Sequence, residues 1–354
     1  MRMKKTWGIL AVAAILVGLL TVATVFFSVG FDFSELSTET YVRTEYALEE
    51  SFCEIEINTT FFDVHIFPLA EGEEPRIYLP YSGNLTHQVA VQDGKLSITL
   101  LDGRAWYERW SFFNVSNANT VIEMHLPPTS YEKLKVDINS GDILVSRNRE
   151  EEAGLTFGRV QLETSTGDIN FFANASDSIG LLATTGDITV TGVQGASLSA
   201  KVSTGHITLR DCVLKNASAT TTTGDIKMQS IQAKSMNLEV SSGDVSLRNV
   251  SADSMVLKAD TGDMELAEVL VAGELRAESD TGEIEITRSD AGSLWIETDT
   301  GDVEIELLSG KIYHVESDTG DTRYPDHDRN GGRCRVKTDT GDVEITVVQL
   351  AAAQ

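Results

Sequence analysis

Ser165-Thr166-Gly167-Asp168-Ile169 is a stretch that the chain writes again and again. Its glycine returns at Gly141, Gly167, Gly186, Gly205, Gly224, Gly243, Gly262, Gly282, Gly301, Gly320 and Gly341. Successive spacings are 26, 19, 19, 19, 19, 19, 20, 19, 19 and 21 residues. A period near 19 over most of a chain is the signature of a solenoid, in which each repeat is one coil stacked on the last.

Counting outward from each glycine brings back the same chemistry. Two residues on stand Ile143, Ile169, Ile188, Ile207, Ile226, Val245, Met264, Ile284, Val303 and Val343, with Thr322 the exception. Four on stand Val145, Phe171, Val190, Leu209, Met228, Leu247, Leu266, Ile286, Ile305, Tyr324 and Ile345. Seven and five before it come mostly apolar pairs such as Leu198 with Ala200 and Leu294 with Ile296. Apolar residues alternating with polar ones on both sides of a tight turn predict two short strands per coil. The glycine is expected at positive φ, where a side chain would be resisted, with its Ser/Thr and Asp neighbours bonding local backbone. The expected fold is all-β: a single-stranded β-solenoid, parallel β-helix-like, with ~19 residues per coil. Stacked at ~4.8 Å, the coils would make a rod on the order of 50 Å long around one apolar spine.

Outside the repeat, the N-terminus carries Arg2, Lys4 and Lys5 and then no charge from Thr6 to Phe31. That run exceeds the ~20 residues needed to cross a bilayer. With Asp32 and Glu35 after it, the positive-inside rule puts a tail at 1–5 in the cytoplasm. The expectation is a signal-anchor helix at 6–30 with the solenoid extracytoplasmic, in a bacterial cell membrane. A cleaved signal peptide is the alternative. Residues 31–50 are polar and acidic and suit a stalk, and 51–130 read as degenerate first coils or a β cap. Such a cap would cover the open end of the spine. The cluster Trp106, Tyr107, Trp110, Phe112 and Phe113 is read as cap core, with an exposed contact patch as the alternative. The regular solenoid runs over 131–354, with a loop excursion at 323–335 where Tyr-Pro-Asp-His-Asp-Arg-Asn-Gly-Gly replaces a strand.

The formal net charge is −26. From Ser251 onward 24 Asp and Glu face 9 Lys and Arg, a balance of −15. Such a surface repels nucleic acid and anionic lipid. Cys53, Cys212 and Cys334 are too few and too scattered for a disulfide framework and read as small buried hydrophobes.

Leu126-Pro127, then Leu134-Lys135-Val136-Asp137-Ile138-Asn139-Ser140-Gly141-Asp142-Ile143 and the serial Thr-Gly-Asp-Ile coils, resemble the bacterial putative-adhesin family over roughly Phe52 to Leu350. The resemblance implies a membrane-tethered or secreted β-solenoid of the cell envelope and carries over no catalytic residue.

Asp-Thr-Gly, the aspartic-protease triplet, starts at Asp260, Asp280, Asp299, Asp318 and Asp339. Catalysis needs two such aspartates facing each other and sharing a proton, whereas these recur at coil spacing along one ridge. The same ridge flanks glycines with carboxylates on both sides, as in Asp299 with Asp302 and Asp318 with Asp321. Oxygen-rich turns suit Ca²⁺, and Asp326, Asp328 and Asn330 match the first half of a calcium loop whose twelfth position is Lys337 instead of Glu. A solvated acidic edge and a plain turn-rich loop are the competing readings. The six histidines are scattered without pairing, and no zinc spacing or phosphate-binding glycine loop is present. The expected function is therefore non-enzymatic: adhesin-like binding or scaffolding at the envelope, through an envelope protein or surface ligand and without a cofactor. An extracytoplasmic sensor acting through an intramembrane partner is the alternative.

Overall fold

Alternating apolar and polar residues commit a chain to strands, and the described residues form strands without a single helix. The computed structural model describes residues 41–48, 50–69, 74–83, 85–102, 120–146 and 154–348. The N-terminal strands are β1 (Val42–Ala47), β2 (Glu54–Thr59), β3 (Asp63–Pro68), β4 (Arg76–Tyr81), β5 (Leu85–Gln92), β6 (Lys95–Asp102) and β7 (Val121–Leu126). The repeat opens with β8 (Ser130–Ser140), β9 (Ile143–Val145), β10 (Thr156–Thr166), β11 (Ile169–Phe171), β12 (Asn174–Thr185), β13 (Ile188–Thr191) and β14 (Ser197–Thr204). Five long strands follow: β15 (Ile207–Thr223), β16 (Ile226–Ser242), β17 (Val245–Thr261), β18 (Met264–Thr281) and β19 (Ile284–Thr300). The chain closes with β20 (Val303–Leu307), β21 (Ile312–Thr319), β22 (Thr322–Arg323), β23 (Arg333–Thr340) and β24 (Val343–Val347).

Neighbouring coils pair in parallel at the offset of the sequence period. Ile207 lies beside Ile226, Ile226 beside Val245, Val245 beside Met264 and Met264 beside Ile284. Each apolar offset thus becomes a column, and the columns merge into one core that reaches from Tyr41 to Ile345. No coil could bury its own apolar face; the stack does it for all of them.

A coil has three faces where the sequence predicts two strands. In β15, Ile207 and Leu209 point inward, then Arg210 and Asp211 are both exposed, Cys212 and Leu214 point inward, and Lys215 and Asn216 are both exposed. Ala217, Ala219 and Thr221 line the third face. Each exposed pair shifts the alternation by one residue and turns a corner without breaking the ladder. The corner after the first face places Asp211, Ser230, Asn249, Glu268 and Arg288 at φ of 46–58°.

The ends of the stack are interleaved. The order along one wall is β6, β2, β8, β10, so the coil begun by β2 sits between two coils that follow it in sequence. At the other end β23 lies between β19 and β21, and β24 between β20 and β22. The last coil is therefore inserted beneath the one before it, not laid on top. The physical reason is visible in their interiors. The inserted coil supplies Cys334, Val336, Val343 and Ile345, all at most 2% exposed, whereas the outermost sets Tyr313 and Val315 beside the first two but Thr322 beside Val343, and leaves Tyr324 43% exposed. The more apolar coil goes inside and the more polar one meets water, and the loop 324–332 gives the chain the length to double back. At the opposite end β5 pairs antiparallel with β6, β4 with β7, and β1 with β4. Within the span read as a stalk, Val42–Ala47 thus forms β1, held by pairing to β4 and by the Arg43 guanidinium 3.8 Å over the Tyr78 ring. The expected tail at 1–5, anchor helix at 6–30 and aromatic cluster at Trp106–Phe113 lie outside the described residues. Among the described residues no helix is long and apolar enough to cross a membrane.

Candidate functional site

A row of acidic side chains hangs on the glycine corner. The corner glycines from Gly141 to Gly341 sit at φ of 128–152°. They also stack with no room to spare: a Cβ on Gly224 would lie 2.2 Å from the Gly205 carbonyl oxygen. Beside them runs a hydrogen-bonded ladder. The Asp168 N–H donates to Asp142 Oδ1, that of Asp187 to Asp168, that of Asp244 to Asp225 and that of Asp263 to Asp244, at 2.8–3.1 Å. His206 takes one rung, its Nδ1 accepting from the Asp225 N–H at 3.0 Å. In each of these Asp coils one carboxylate oxygen is spent on tying that coil to the next.

Two of the predicted calcium residues, Asp302 and Asp321, take part in this ladder. Asp302 Oδ1 accepts from the Asp342 N–H at 2.8 Å, and Asp342 Oδ1 accepts from the Asp321 N–H at 2.8 Å. Asp302 and Asp321 therefore belong to one ladder, with Asp342 between them. Asp299 and Asp318 stand exposed on the other side of their glycines. In the loop, Asp328 bonds locally: its N–H donates to the Lys311 carbonyl and its Oδ1 accepts from the Asn330 N–H, both at 3.0 Å. Asp326 stands exposed nearby in the chain. Among the described residues no three His, Cys, Asp or Glu side chains are gathered as a metal would require.

Charge accumulates on this corner. Burial pushes the Glu283 carboxyl above its ordinary range, helped by Asp263, Glu285, Asp302 and Glu304 around it. Burial also opposes the ionisation of Asp225, but the Lys227 ammonium, the Asp244 N–H and His206 outweigh it and hold that carboxyl below its ordinary range. Burial raises both inner thiols, Cys212 and Cys334, the latter to about 12, which leaves them unreactive. The remaining histidines serve local contacts, as where His125 Nε2 meets Glu123 Oε1 at 2.6 Å and His327 Nδ1 accepts from the Tyr313 N–H at 3.0 Å.

One surface escaped the sequence reading. The third face of the coils turns an outer wall to solvent, on which Trp295 stands between Arg276 and Arg335, their guanidinium carbons 4.9 and 4.8 Å from its ring centroid. The signal lay six residues before each glycine, an outward offset that the search for apolar columns passes over. Lys311 was missed as well: it is 4% exposed, and its Nζ donates to the Ala291 carbonyl at 2.7 Å and Ser309 Oγ at 2.9 Å beside the Asp290 carboxylate. Those partners satisfy the buried ammonium, which closes the core near the loop.

Comparison with known proteins places this architecture. A putative cell adhesion protein from Clostridium sporogenes is similar at 11% identity and a TM-score of 0.17, over 87% of this chain and all of that one. A putative adhesin from Bacteroides fragilis is similar at 14% identity and a TM-score of 0.26, over 88% of this chain and 98% of the other. No curated protein matches the sequence. The family model described as Toastrack DUF4097 matches residues 52–248 and 232–354, and with nearly all of the repeat covered in this way the chain belongs to that family.

Proposed function

We propose that the protein is a membrane-anchored, extracytoplasmic solenoid that works without catalysis, as an adhesin-like binding or scaffolding element of the cell envelope. The observation that carries the reading is the register of the coils. Pairing such as Ser218 beside Asn237 and Thr220 beside Glu239 turns each outward offset into a row of side chains repeating at ~4.8 Å. A rod of such rows offers a long, rigid surface to a ligand or a partner protein, with little conformational entropy lost on binding. The uncharged run from Thr6 to Phe31 supplies the anchor in this reading, with the N-terminus in the cytoplasm.

Crosslinking on whole cells, followed by affinity purification of the full chain, tests the reading. Recovery of a defined envelope partner or surface ligand is the expected result. Absence of any partner, or recovery of the chain in the soluble cytoplasmic fraction, would overturn it.

A further inference from the structure

We propose that the outer wall of the third face binds an acidic polysaccharide lying along the rod axis. This deepens the adhesin-like reading and rests on it. The wall differs in chemistry from the acidic corner next to it. Its middle is hydroxyl and amide: Ser197, Asn216, Ser235 and Ser254 form one row, in which Asn216 Nδ2 donates to Ser197 Oγ at 3.2 Å and Ser235 Oγ donates to Asn216 Oδ1 at 2.7 Å. Ser199, Ser218 and Asn237 form the next row.

Cations stand at both ends of this wall. Toward the N-terminal end Lys133 and Arg159 are paired neighbours, with Lys201 two coils on. A groove of about 580 Å³ opens among them, deepened because Gly180 has no side chain and flanked by Leu182 at 44% exposure. Toward the C-terminal end Arg333 and Arg335 face outward from one strand, and the Arg335 guanidinium carbon lies 4.8 Å from the Trp295 ring centroid. Six of the nine bases from Ser251 onward are in ion pairs, those of Lys258, Arg276, Arg288, Lys311, Arg323 and Lys337. Arg333 and Arg335 have no carboxylate within ion-pair distance among the described residues, although acids outnumber bases there.

A guanidinium fixed over an aromatic ring presents its N–H edge for two-point contact with a carboxylate or sulfate, already ordered before the ligand arrives. The carboxylates interspersed on the wall, Glu239, Glu278 and Glu297, offer acceptors to sugar hydroxyls, which a glycan presents on every unit. That combination favours an acidic glycan over nucleic acid. From β10 to β23 the wall spans about 40 Å at ~4.8 Å per coil, so one chain can reach both cationic ends.

The test uses the full-length protein in detergent, titrated calorimetrically at physiological salt with polygalacturonate, dextran sulfate, neutral dextran and poly-glutamate. Saturable binding of polygalacturonate or dextran sulfate is expected, and which of the two is bound identifies the oxyanion. R159Q and R335Q should each weaken it at least tenfold while the variants melt within a few degrees of the parent, because Arg159 is exposed and Arg335 lies on the outer surface of its strand. Short oligogalacturonates should bind more weakly than the polymer and lose sensitivity to one of the two substitutions. No binding of either acidic glycan, equal binding of dextran or of poly-glutamate, or indifference to both substitutions would overturn the proposal. An unresponsive wall on a protein that still captures an envelope partner in cells would sink this inference and leave the adhesin-like reading standing.

Discussion

At a corner, the space left for a side chain is less than a methyl group. Gly224 combines a φ of 128° with a carbonyl oxygen 2.2 Å from where its Cβ would be. Gly224→Ala should therefore cost about 2–5 kcal/mol, combining a strained backbone with a backbone clash that no rotamer relieves. Urea denaturation of the variant checks it, and Thr223→Ala, exposed next door, is the control. The two perturbed carboxyls of this corner have opposite pH signatures. Asp225 is depressed below its reference value of 3.8, so its contribution is present at neutral pH and lost in acid as the pH falls through the lower folded value. Glu283 is raised above 4.5, so folding opposes its ionised form, and the penalty is present at neutral pH and vanishes once the pH drops below the unfolded value. Glu283→Gln should melt higher than the parent at pH 7 and level with it below about pH 4; a constant difference across that range would contradict the assignment.

For the elements, the question is which coil protects which. Leu257 is fully buried between Leu238 and Ala277, so Leu257→Ala should destabilise by about 2–5 kcal/mol, toward the lower end because the small Ala277 already limits the packing lost. The interleaved end gives a sharper expectation. Amide hydrogen exchange should find β23 and β24 more protected than β21 and β22, although β24 comes last in the sequence. Protection that simply declines toward the C-terminus would contradict the order of the stack. The sequence reading reached the faces beside the glycine, because Ile, Val and Leu repeat there without dilution. It missed the middle face, where the inner pairs read Ile231 with Ala233 and Val250 with Ala252, and alanine is a poor marker of burial. The swap of end coils was beyond any periodicity argument. It depends on comparing the interiors of two coils, a competition that only stacking sets up.

Over the whole molecule, self-repulsion is the dominant electrostatic term. A formal charge of −26, of which −15 falls from Ser251 onward, weakens the compact state and should be relieved by screening. Raising NaCl from about 20 mM to about 500 mM should lift the melting temperature by a few degrees, where about 2–4 °C corresponds to 1 kcal/mol in a domain of some 200 residues. A melting temperature that falls with salt would mean that the ion pairs outweigh the repulsion. At this scale the architecture was readable from one glycine and its spacing. The candidate surface was not, since an outward row needs only to tolerate water, and so its residues carry no repeating constraint that marks Trp295 or Arg335 in advance.

The interleaved ends bear on how such a rod would respond to traction. A solenoid laid down strictly in order unzips from its tip, one coil at a time, when its terminus is pulled. Here a load applied ahead of β2 peels β1 from β4 and then reaches a coil clamped between β6 on one side and β8 on the other. Two ladders must shear together before that coil yields, and the same lock is repeated at the far tip.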